Sequence, residues 1–373
     1  MTLSILWFIL VAVLWTVYLI LEGFDFGVGM LLPFAAKGDR ERTQMVRTIG
    51  PHWDGNEVWL LTAGGATFAA FPEWYATMFS GMYLALFLIL VCLIIRIMAL
   101  EWRSKVATEK WRRTWDWAHT ICAWLVPLLL GVAFANFVAG MHIEVVDVAT
   151  GTVVDPTLVN QSLASATHQL TGGFFSLLTP YTLLGGLAVL AVCLAHGAQF
   201  LALKTTGEVR NRANAIAAPA TIAATVLAAA WLVWGQFAYT TNVLAWIPLV
   251  VTALAIIVST VLSQSTLRRE GLSFAASSVA IAGTVAWVFA SMAPAVQKSS
   301  INPAYSLTIE QASSTTATLT VMTIVTVCLL PIVLAYVLWS YWTFRSRVGT
   351  EDVTTKTGLL MKKIRLGENF LAD

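Results

Sequence analysis

The chain has 373 residues, of which 58% are hydrophobic and only 11% are charged, and its formal net charge is +2. Soluble domains carry about 25% charged residues, so this composition excludes an ordinary water-soluble globular protein. The basic residues are divided among short loops, which gives no indication of a nucleic-acid partner. The apolar residues come in long blocks of about 20, the length that crosses a bilayer as an α-helix. The sequence therefore predicts an all-α polytopic membrane protein.

Nine apolar blocks predict nine transmembrane helices in a single transmembrane domain, residues 1–343, followed by a cytoplasmic tail, 344–373. The predicted spans are roughly 4–22, 53–71, 75–100, 117–142, 175–203, 215–237, 243–264, 273–295 and 315–342. We expect two four-helix bundles, made of spans one to four and five to eight, with the ninth helix added. The longest connection, 143–174, is predicted to be a surface loop with a short interfacial helix near 158–169.

The distribution of basic residues predicts the orientation of the chain. When the connections between spans are taken alternately, one set carries nearly all of the lysines and arginines, and the other set holds only Lys298. Lys and Arg mark the cytoplasmic side of a membrane protein. We therefore expect the N-terminus outside and the C-terminus in the cytoplasm, which agrees with an odd number of spans.

The first four predicted spans carry ionisable residues at similar depth, near the cytoplasmic side. These residues are Glu22, Asp25, Asp54, Glu57, Arg96, Glu101, Asp116 and His119. Charged groups are costly within a bilayer, so we expect them to face one another or water inside the bundle. Glu22 and Asp25 fall at the predicted end of span one, where a helix dipole disfavours an anion. Arg96 is the candidate charge partner for them.

Two of these residues, and the neighbouring His52, have structural alternatives to a functional role. Asp54 is placed to cap the N-terminus of span two, and Asp116 has a similar position in span four. His52 is placed either to exchange protons or to cap the preceding loop. Asp54 and Glu57 lie three residues apart, so in a poorly solvated site the two carboxyl groups are expected to share one proton.

The cysteines and histidines give no pattern typical of a metal or haem site. The four cysteines lie inside apolar blocks, and no two have the spacing of metal ligands. We therefore expect no metal and no directly bound haem in this chain. Three kinds of protein fit these observations: a proton relay to a redox centre held elsewhere, a proton- or sodium-coupled secondary transporter, or a structural membrane subunit. Charge near one surface rather than at the midplane favours the relay over the transporter.

Several motifs resemble a known family. They are EGFDFGVG at 22–29, PHWDGNEVWL at 51–60, the tryptophan-rich stretch 111–117, and GVAF at 131–134 with Asn136. Together they resemble the small subunit, subunit II, of the cytochrome bd ubiquinol/menaquinol oxidases. The resemblance extends over the whole chain and is sharpest in the first 140 residues.

The resemblance implies a respiratory function in the bacterial cell membrane. The family oxidises membrane quinol and reduces O2 to water with protons taken from the cytoplasm. Two b-type haems and one d-type haem are expected in subunit I, the partner of this haem-free subunit and similar to it in fold. Small single-span subunits, membrane lipid and a structural quinone lodged in subunit II are further partners that the resemblance implies.

The resemblance also implies roles for individual residues. Asp54 matches a carboxylate at the entrance of a proton path that leads to the haems, and Asp25 matches an acid whose role is either structural or supportive of that path. Trp59 matches a residue near an oxygen-access route. Together with the polar residues found above, the candidates for the proton path are Asp54, Glu57, Asp25, Glu22 and His52.

Overall fold

The computed structural model describes residues 2–162, 165–264, 266–354 and 358–359. Its helices are α1 (Leu3–Ala35), α2 (Asp39–Ile49), α3 (Trp53–Ala70), α4 (Pro72–Gly81), α5 (Tyr83–Trp102), α6 (Glu109–Ala139), α7 (Val159–Ser162), α8 (Pro180–Lys204), α9 (Gly207–Ala238), α10 (Trp246–Ser263), α11 (Glu270–Met292), α12 (Ile309–Ala312) and α13 (Thr316–Thr343). The strands are β1 (Ile143–Asp147), β2 (Ala166–Leu170), β3 (Ala295–Gln297) and β4 (Leu307–Thr308). The protein is therefore mostly helical, as predicted, with two small two-stranded sheets that the sequence analysis missed.

Eight helices in the described part of the chain are long and apolar enough to cross a membrane. They are α1, α5, α6, α8, α9, α10 with the turn before it, α11 and α13. The predicted span 53–71 corresponds to α3, which has 18 residues. Asp54, Asn56 and Glu57 in its first turns make α3 less apolar than these eight, so a ninth span stays a prediction. The protein is a multi-pass membrane protein.

The first and third predicted spans were wrong in their bounds. Span one was predicted to end at residue 22, but α1 continues to Ala35 because the residues after Asp25 are again apolar. Glu22 and Asp25 therefore lie inside a helix and not at its C-terminal end. Span three is divided at Met82 into α4 and α5.

Helix α1 lies at the centre of the fold. It packs against α3, α6, α8 and α11, while α8 also packs against α6 and α9, and α10 against α11. The crossing of α1 and α8 is close because Gly27 and Gly197 face each other: a Cβ at Gly27 would lie 2.6 Å from the Cα of Gly197. Because α1 contacts helices from both halves of the chain, the division into two four-helix bundles stays a prediction.

The two ends of the helical bundle differ in composition. We call one end the basic face: it carries α2, the connections 103–108 and 205–206, and the described residues of the connection 264–269 and of the segment after Phe344. The opposite face carries an antiparallel hairpin, in which Ile143 of β1 pairs with Leu170 of β2 and Asp147 pairs with Ala166. The predicted loop 143–174 therefore contains strands, and its only α-helix in the described residues is the single turn α7.

The C-terminal segment lies across the basic face. Val348 N donates to Lys204 O at 2.8 Å, and Leu359 N donates to Lys105 O at 2.7 Å. The Arg347 guanidinium donates to the carbonyls of Ala202 and Thr205, both at 3.0 Å. The predicted tail 344–373 is thus tied to α8 and to the α5–α6 connection over its described residues. The rest of the predicted tail, 355–357 and 360–373, lies outside the described residues.

Candidate functional site

Four ionisable side chains meet in the interior of the bundle, and we call them the buried charge cluster: Glu22 and Asp25 of α1, Glu57 of α3 and Arg96 of α5. Arg96 Nη1 lies 2.9 Å from Glu57 Oε2 and also contacts Glu22 Oε1. The side chains of Arg96 and Glu22 are fully buried. One guanidinium therefore contacts two carboxyl groups in apolar surroundings, and the third, that of Asp25, lies one turn from Glu22 on α1.

The pattern of buried residues in α5 explains why a charged residue points inward. The buried residues of this helix are Ile89, Cys92, Leu93, Arg96 and Ala99. Each lies three or four residues from another member of the set, so they form one inward stripe of the helix and Arg96 belongs to it. In α1, Glu22 and Asp25 are three apart and share a face in the same way. The Arg96 guanidinium carbon lies 4.7 Å from the centroid of the Phe26 ring, so an aromatic face also supports its charge.

Several polar atoms around the cluster are buried without a hydrogen-bond partner among the described residues. They are Glu22 Oε2, Asp25 Oδ1, Arg96 Nε, Arg96 Nη2 and the hydroxyl of Tyr18. Burying a polar group without a partner costs free energy, and buried water commonly satisfies such groups. The cluster therefore has hydrogen-bonding groups to which buried water is suited to bind.

A hydrogen-bond chain connects Asp25 to the end of α13 at the basic face. Asn56 Nδ2 donates to Asp25 Oδ2 at 2.8 Å, and the Tyr341 hydroxyl donates to Asn56 Oδ1 at 2.7 Å. His52 stacks on the Tyr341 ring at 4.1 Å, nearly parallel, with its Nδ1 3.4 Å from Ser340 Oγ. Burial, together with the nearby charge of Lys204, lowers the pKa of His52 to about 4. The imidazole is therefore neutral near pH 7.

Asp54 is exposed on the outer face of α3, apart from the cluster. It shares this face with Val58, Leu61 and Phe68, which are more than half exposed. The helix begins one residue earlier than Asp54 and its N-cap is His52, so the alternative role of Asp54 as the N-cap was wrong. Glu57, one turn along, accepts a hydrogen bond from Arg96 Nη1. Trp59 is only 4% exposed and packs into the core.

The expected single cluster of eight ionisable residues is divided in the structure. Asp116 lies at the basic face, where Asp116 Oδ1 is 2.5 Å from Arg103 Nε and Oδ2 is 3.0 Å from Arg42 Nε. Arg103 and Arg112 also bind Asp39 of α2. Asp116 lies only eight residues into α6, at the basic end of that helix, which places it away from Glu22 and Asp25 deep inside α1. Glu101 is exposed, and His119 is buried next to Gly29.

Sequence reasoning missed two contributions to this site. Asn56 was noticed only as part of a motif, and its contact with Asp25 joins residues 31 positions apart. Tyr341 was not singled out at all, because its partner Asn56 lies 285 positions away and no local pattern marks it. Within the described ranges, no group of three or more His, Cys, Asp or Glu is placed to hold a metal ion.

Comparison with known proteins now places the chain in a family. The model of a family described as cytochrome bd terminal oxidase subunit II matches residues 3–344. The chain belongs to this family. It is a subunit of an oxidoreductase of the respiratory chain, and membership in this family favours the oxidase prediction over the transporter.

The similar proteins agree with this assignment over nearly the full length. Cytochrome bd ubiquinol oxidase subunit 2 of Bacillus subtilis is 38% identical, covering 94% of this chain and 98% of its own length. Cytochrome bd-I ubiquinol oxidase subunit 2 of Escherichia coli K12 is 36% identical, covering 95% and 97%. The structure of bd oxidase from Geobacillus thermodenitrificans has a chain with a TM-score of 0.69 at 17% identity, covering 92% of this chain and 99% of that chain. That last likeness supports the fold alone.

Proposed function

We propose that this chain is subunit II of a bd-type quinol oxidase and that it conducts cytoplasmic protons toward haems held by subunit I. The observation that carries the proposal is the buried charge cluster, in which Arg96 contacts Glu22 and Glu57 and Asp25 lies one turn from Glu22, inside an apolar bundle of this family. Ionisable residues at such depth are costly and typically mark proton or ion pathways. The relatives are named as ubiquinol oxidase subunits, and for this chain the quinol is taken from the membrane.

The direction of proton entry follows from the basic face. Positive residues mark the cytoplasmic side, so we place α2 and the C-terminal segment in the cytoplasm and the β1–β2 hairpin outside. Reduction of one O2 to two water molecules takes up four protons and four electrons. Asp54 lies near the basic end of α3, where a proton from the cytoplasm reaches it without crossing the hydrocarbon.

The proposed path leads from Asp54 to the buried charge cluster and then out of this chain. Glu57 is one turn from Asp54 on α3, and Arg96 links Glu57 to Glu22. Asn56 holds Asp25 in place by its amide hydrogen bond. A carboxyl group near other carboxyl groups in poorly solvated surroundings can take up and release a proton, which a relay requires. The neutral His52 contributes by packing on Tyr341.

The apolar face made by α3, α5 and α13 is proposed to meet subunit I. Leu61, Phe87 and Leu338 are 74%, 60% and 70% exposed on these helices. A Cβ added at Gly64 or Gly65 would meet nothing within 4 Å. Small residues let a neighbouring helix approach closely within a membrane. Asp54 lies on the same face, so docking of subunit I would place the entrance of the path at the interface.

The haems, two b-type and one d-type, are proposed to be bound by subunit I and not by this chain. A quinone with a structural role, small single-span subunits and lipid complete the proposed assembly. Trp59, buried in α3 beside the proposed interface, remains the candidate for a role in oxygen access.

An absorption spectrum tests the assignment as an accessory subunit. Membranes that contain this chain alone should show no haem bands, and membranes that contain it with its subunit I should show b- and d-type bands and quinol oxidase activity. Haem bands from this chain alone would contradict the proposal. If neither preparation has haem bands, proton-flux assays on this chain would test the transporter instead.

Oxygen uptake tests the proton path. Asp54→Asn should slow quinol-driven oxygen consumption while the amount of assembled complex and its haem spectrum stay unchanged. Glu101→Gln is the matched control, because Glu101 is also an exposed acid at the basic end of a helix but lies outside the path. Full oxygen uptake by Asp54→Asn would exclude this role of Asp54.

A further inference from the structure

A second polar site lies at the basic face, away from the buried charge cluster. It is a crevice of about 280 Å³ between the end of α1, α2 and the start of α6. We call it the basic crevice and define it by Pro33, Arg42, Arg113, Asp116 and Trp117, which line it. Its floor is tight, because the Thr120 hydroxyl donates to Gly29 O at 3.0 Å and joins α6 to α1.

Some arginine nitrogens in the crevice have no hydrogen-bond partner among the described residues. Arg42 Nε forms an ion pair with Asp116 Oδ2 at 3.0 Å, and the two terminal nitrogens of Arg42 have no hydrogen bond among the described residues. Arg113 is exposed, and no hydrogen bond or ion pair holds its side chain in the described part of the chain. Asp116 is already bound by Arg103 as well as by Arg42. Within the lining, Asp116 and Glu109 balance the charges of Arg42 and Arg113. The adjoining Arg103 and Arg112, with Asp39, give this group of side chains a formal charge of about +1.

Exposed apolar side chains continue from the crevice along the membrane-facing surface. Phe34 follows Pro33 and is 61% exposed, Trp117 is 46% exposed, and Ile121 is 60% exposed. Trp117 and Ile121 are four residues apart, so they form a stripe on α6 that runs from the basic face toward the middle of the membrane. A site with free guanidinium groups at one end and an apolar track at the other matches a molecule with an anionic head and apolar chains.

We propose that the basic crevice binds an anionic phospholipid, with its phosphate on Arg42 and Arg113 and an acyl chain along Phe34, Trp117 and Ile121. Guanidinium groups bind phosphate through paired, charge-assisted hydrogen bonds. Basic pockets between membrane helices on the cytoplasmic side are suited to anionic lipid head groups. The apolar track distinguishes a lipid from free phosphate, which would leave that track unused. The proposal rests on the crevice and does not depend on proton conduction by this subunit.

Lipid titration of the detergent-solubilised, delipidated complex tests the proposal. Binding of phosphatidylglycerol, followed by native mass spectrometry, should be about fivefold weaker in Arg113→Gln than in the wild type, since one basic residue near a membrane surface contributes about that factor. Arg113→Lys should retain most of the binding. Arg269→Gln is the matched control, because Arg269 is exposed on the same face but lies outside the crevice.

Three outcomes of the titration decide whether the basic crevice is a lipid site. A selective loss of lipid binding in Arg113→Gln, with an unchanged unfolding temperature, supports the site. Equal losses in Arg113→Gln and Arg269→Gln would show a diffuse basic surface and overturn it. Displacement of the lipid by millimolar inorganic phosphate, with phosphate bound as tightly as phosphatidylglycerol, would show an anion site without a lipid track and would also overturn it.

Discussion

Replacing Arg96 with methionine removes the only cation within hydrogen-bonding distance of the carboxyl groups of Glu22 and Glu57 in the described structure. The methionine keeps most of the apolar volume, but two buried carboxyl groups lose their counter-charge. Breaking a buried ion pair by removing one partner costs about 3–5 kcal/mol. Both contacts of Arg96 involve the same nitrogen and the side chain is fully buried, so we expect a loss within that range.

The loss should appear in the thermal unfolding of the purified complex. The entropy of unfolding, about 2.1 cal/mol/K per residue, is about 0.8 kcal/mol/K for 373 residues, so a loss of about 3 kcal/mol corresponds to a fall of about 4 °C in the unfolding midpoint. Glu22→Gln combined with Arg96→Met should recover part of the loss, because one carboxyl group is then neutral. Arg269→Gln serves as the control and should change stability by less than about 0.5 kcal/mol, since its side chain is exposed.

An unfolding midpoint of Arg96→Met within about 1 °C of the wild type would contradict the role of Arg96 as the counter-charge of Glu22 and Glu57. That role would also be contradicted if the double variant were less stable than Arg96→Met alone. Either result would mean that the carboxyl groups do not depend on Arg96 for their burial.

Three further variants test the packing and the hydrogen bonds of the site. Gly27→Ala should reduce the amount of assembled complex strongly, because its Cβ would overlap the backbone of Gly197; Gly38→Ala, before α2 and with nothing within 4 Å of the added Cβ, should assemble normally, and equal yields of the two would contradict the close crossing of α1 and α8. Tyr341→Phe should lower stability by about 1 kcal/mol through loss of the hydrogen bond to Asn56. Tyr336→Phe, at a tyrosine that is 64% exposed, is its control and should have no measurable effect. His52 has a pKa of about 4 when folded and about 6.5 when unfolded, so the unfolded chain binds more protons between these values and stability should fall as pH drops through this window. The fall in unfolding temperature from pH 7 to pH 5 should be smaller in His52→Gln, and an identical fall would contradict the burial of a neutral imidazole.

The helical framework was predictable because a bilayer requires long apolar segments. The predicted span 215–237 falls within α9, and the predicted span 315–342 differs from α13 by one residue at each end. Apolar segments of this length are stable in a membrane as helices, because a helix satisfies all of its own backbone hydrogen bonds. The break at Met82 was not predictable, because α4 and α5 form one continuous apolar block in the sequence. The β1–β2 hairpin was missed because each strand has only five residues and its partner is distant in sequence.

The composition of the site was predictable in part, and its geometry was not. Ionisable residues in apolar segments are rare, so Glu22, Asp25, Glu57 and Arg96 were conspicuous in the sequence. The sequence did not show that α1 continues past Asp25, because two acids followed by glycines read as a helix end. The stabilising contact comes from Arg96, 74 residues after Glu22, and contacts at such distance leave no local pattern.

Proton entry through Asp54 is tested most directly by the rate of proton uptake from the medium during a single turnover with O2. The fully reduced complex is mixed with oxygen, and a pH-sensitive dye reports proton uptake while haem absorbance reports oxygen binding. We predict that Asp54→Asn slows proton uptake several-fold and leaves oxygen binding unchanged, with Glu101→Gln like the wild type. Proton uptake at the wild-type rate in Asp54→Asn would contradict the claim that protons enter through this subunit at Asp54.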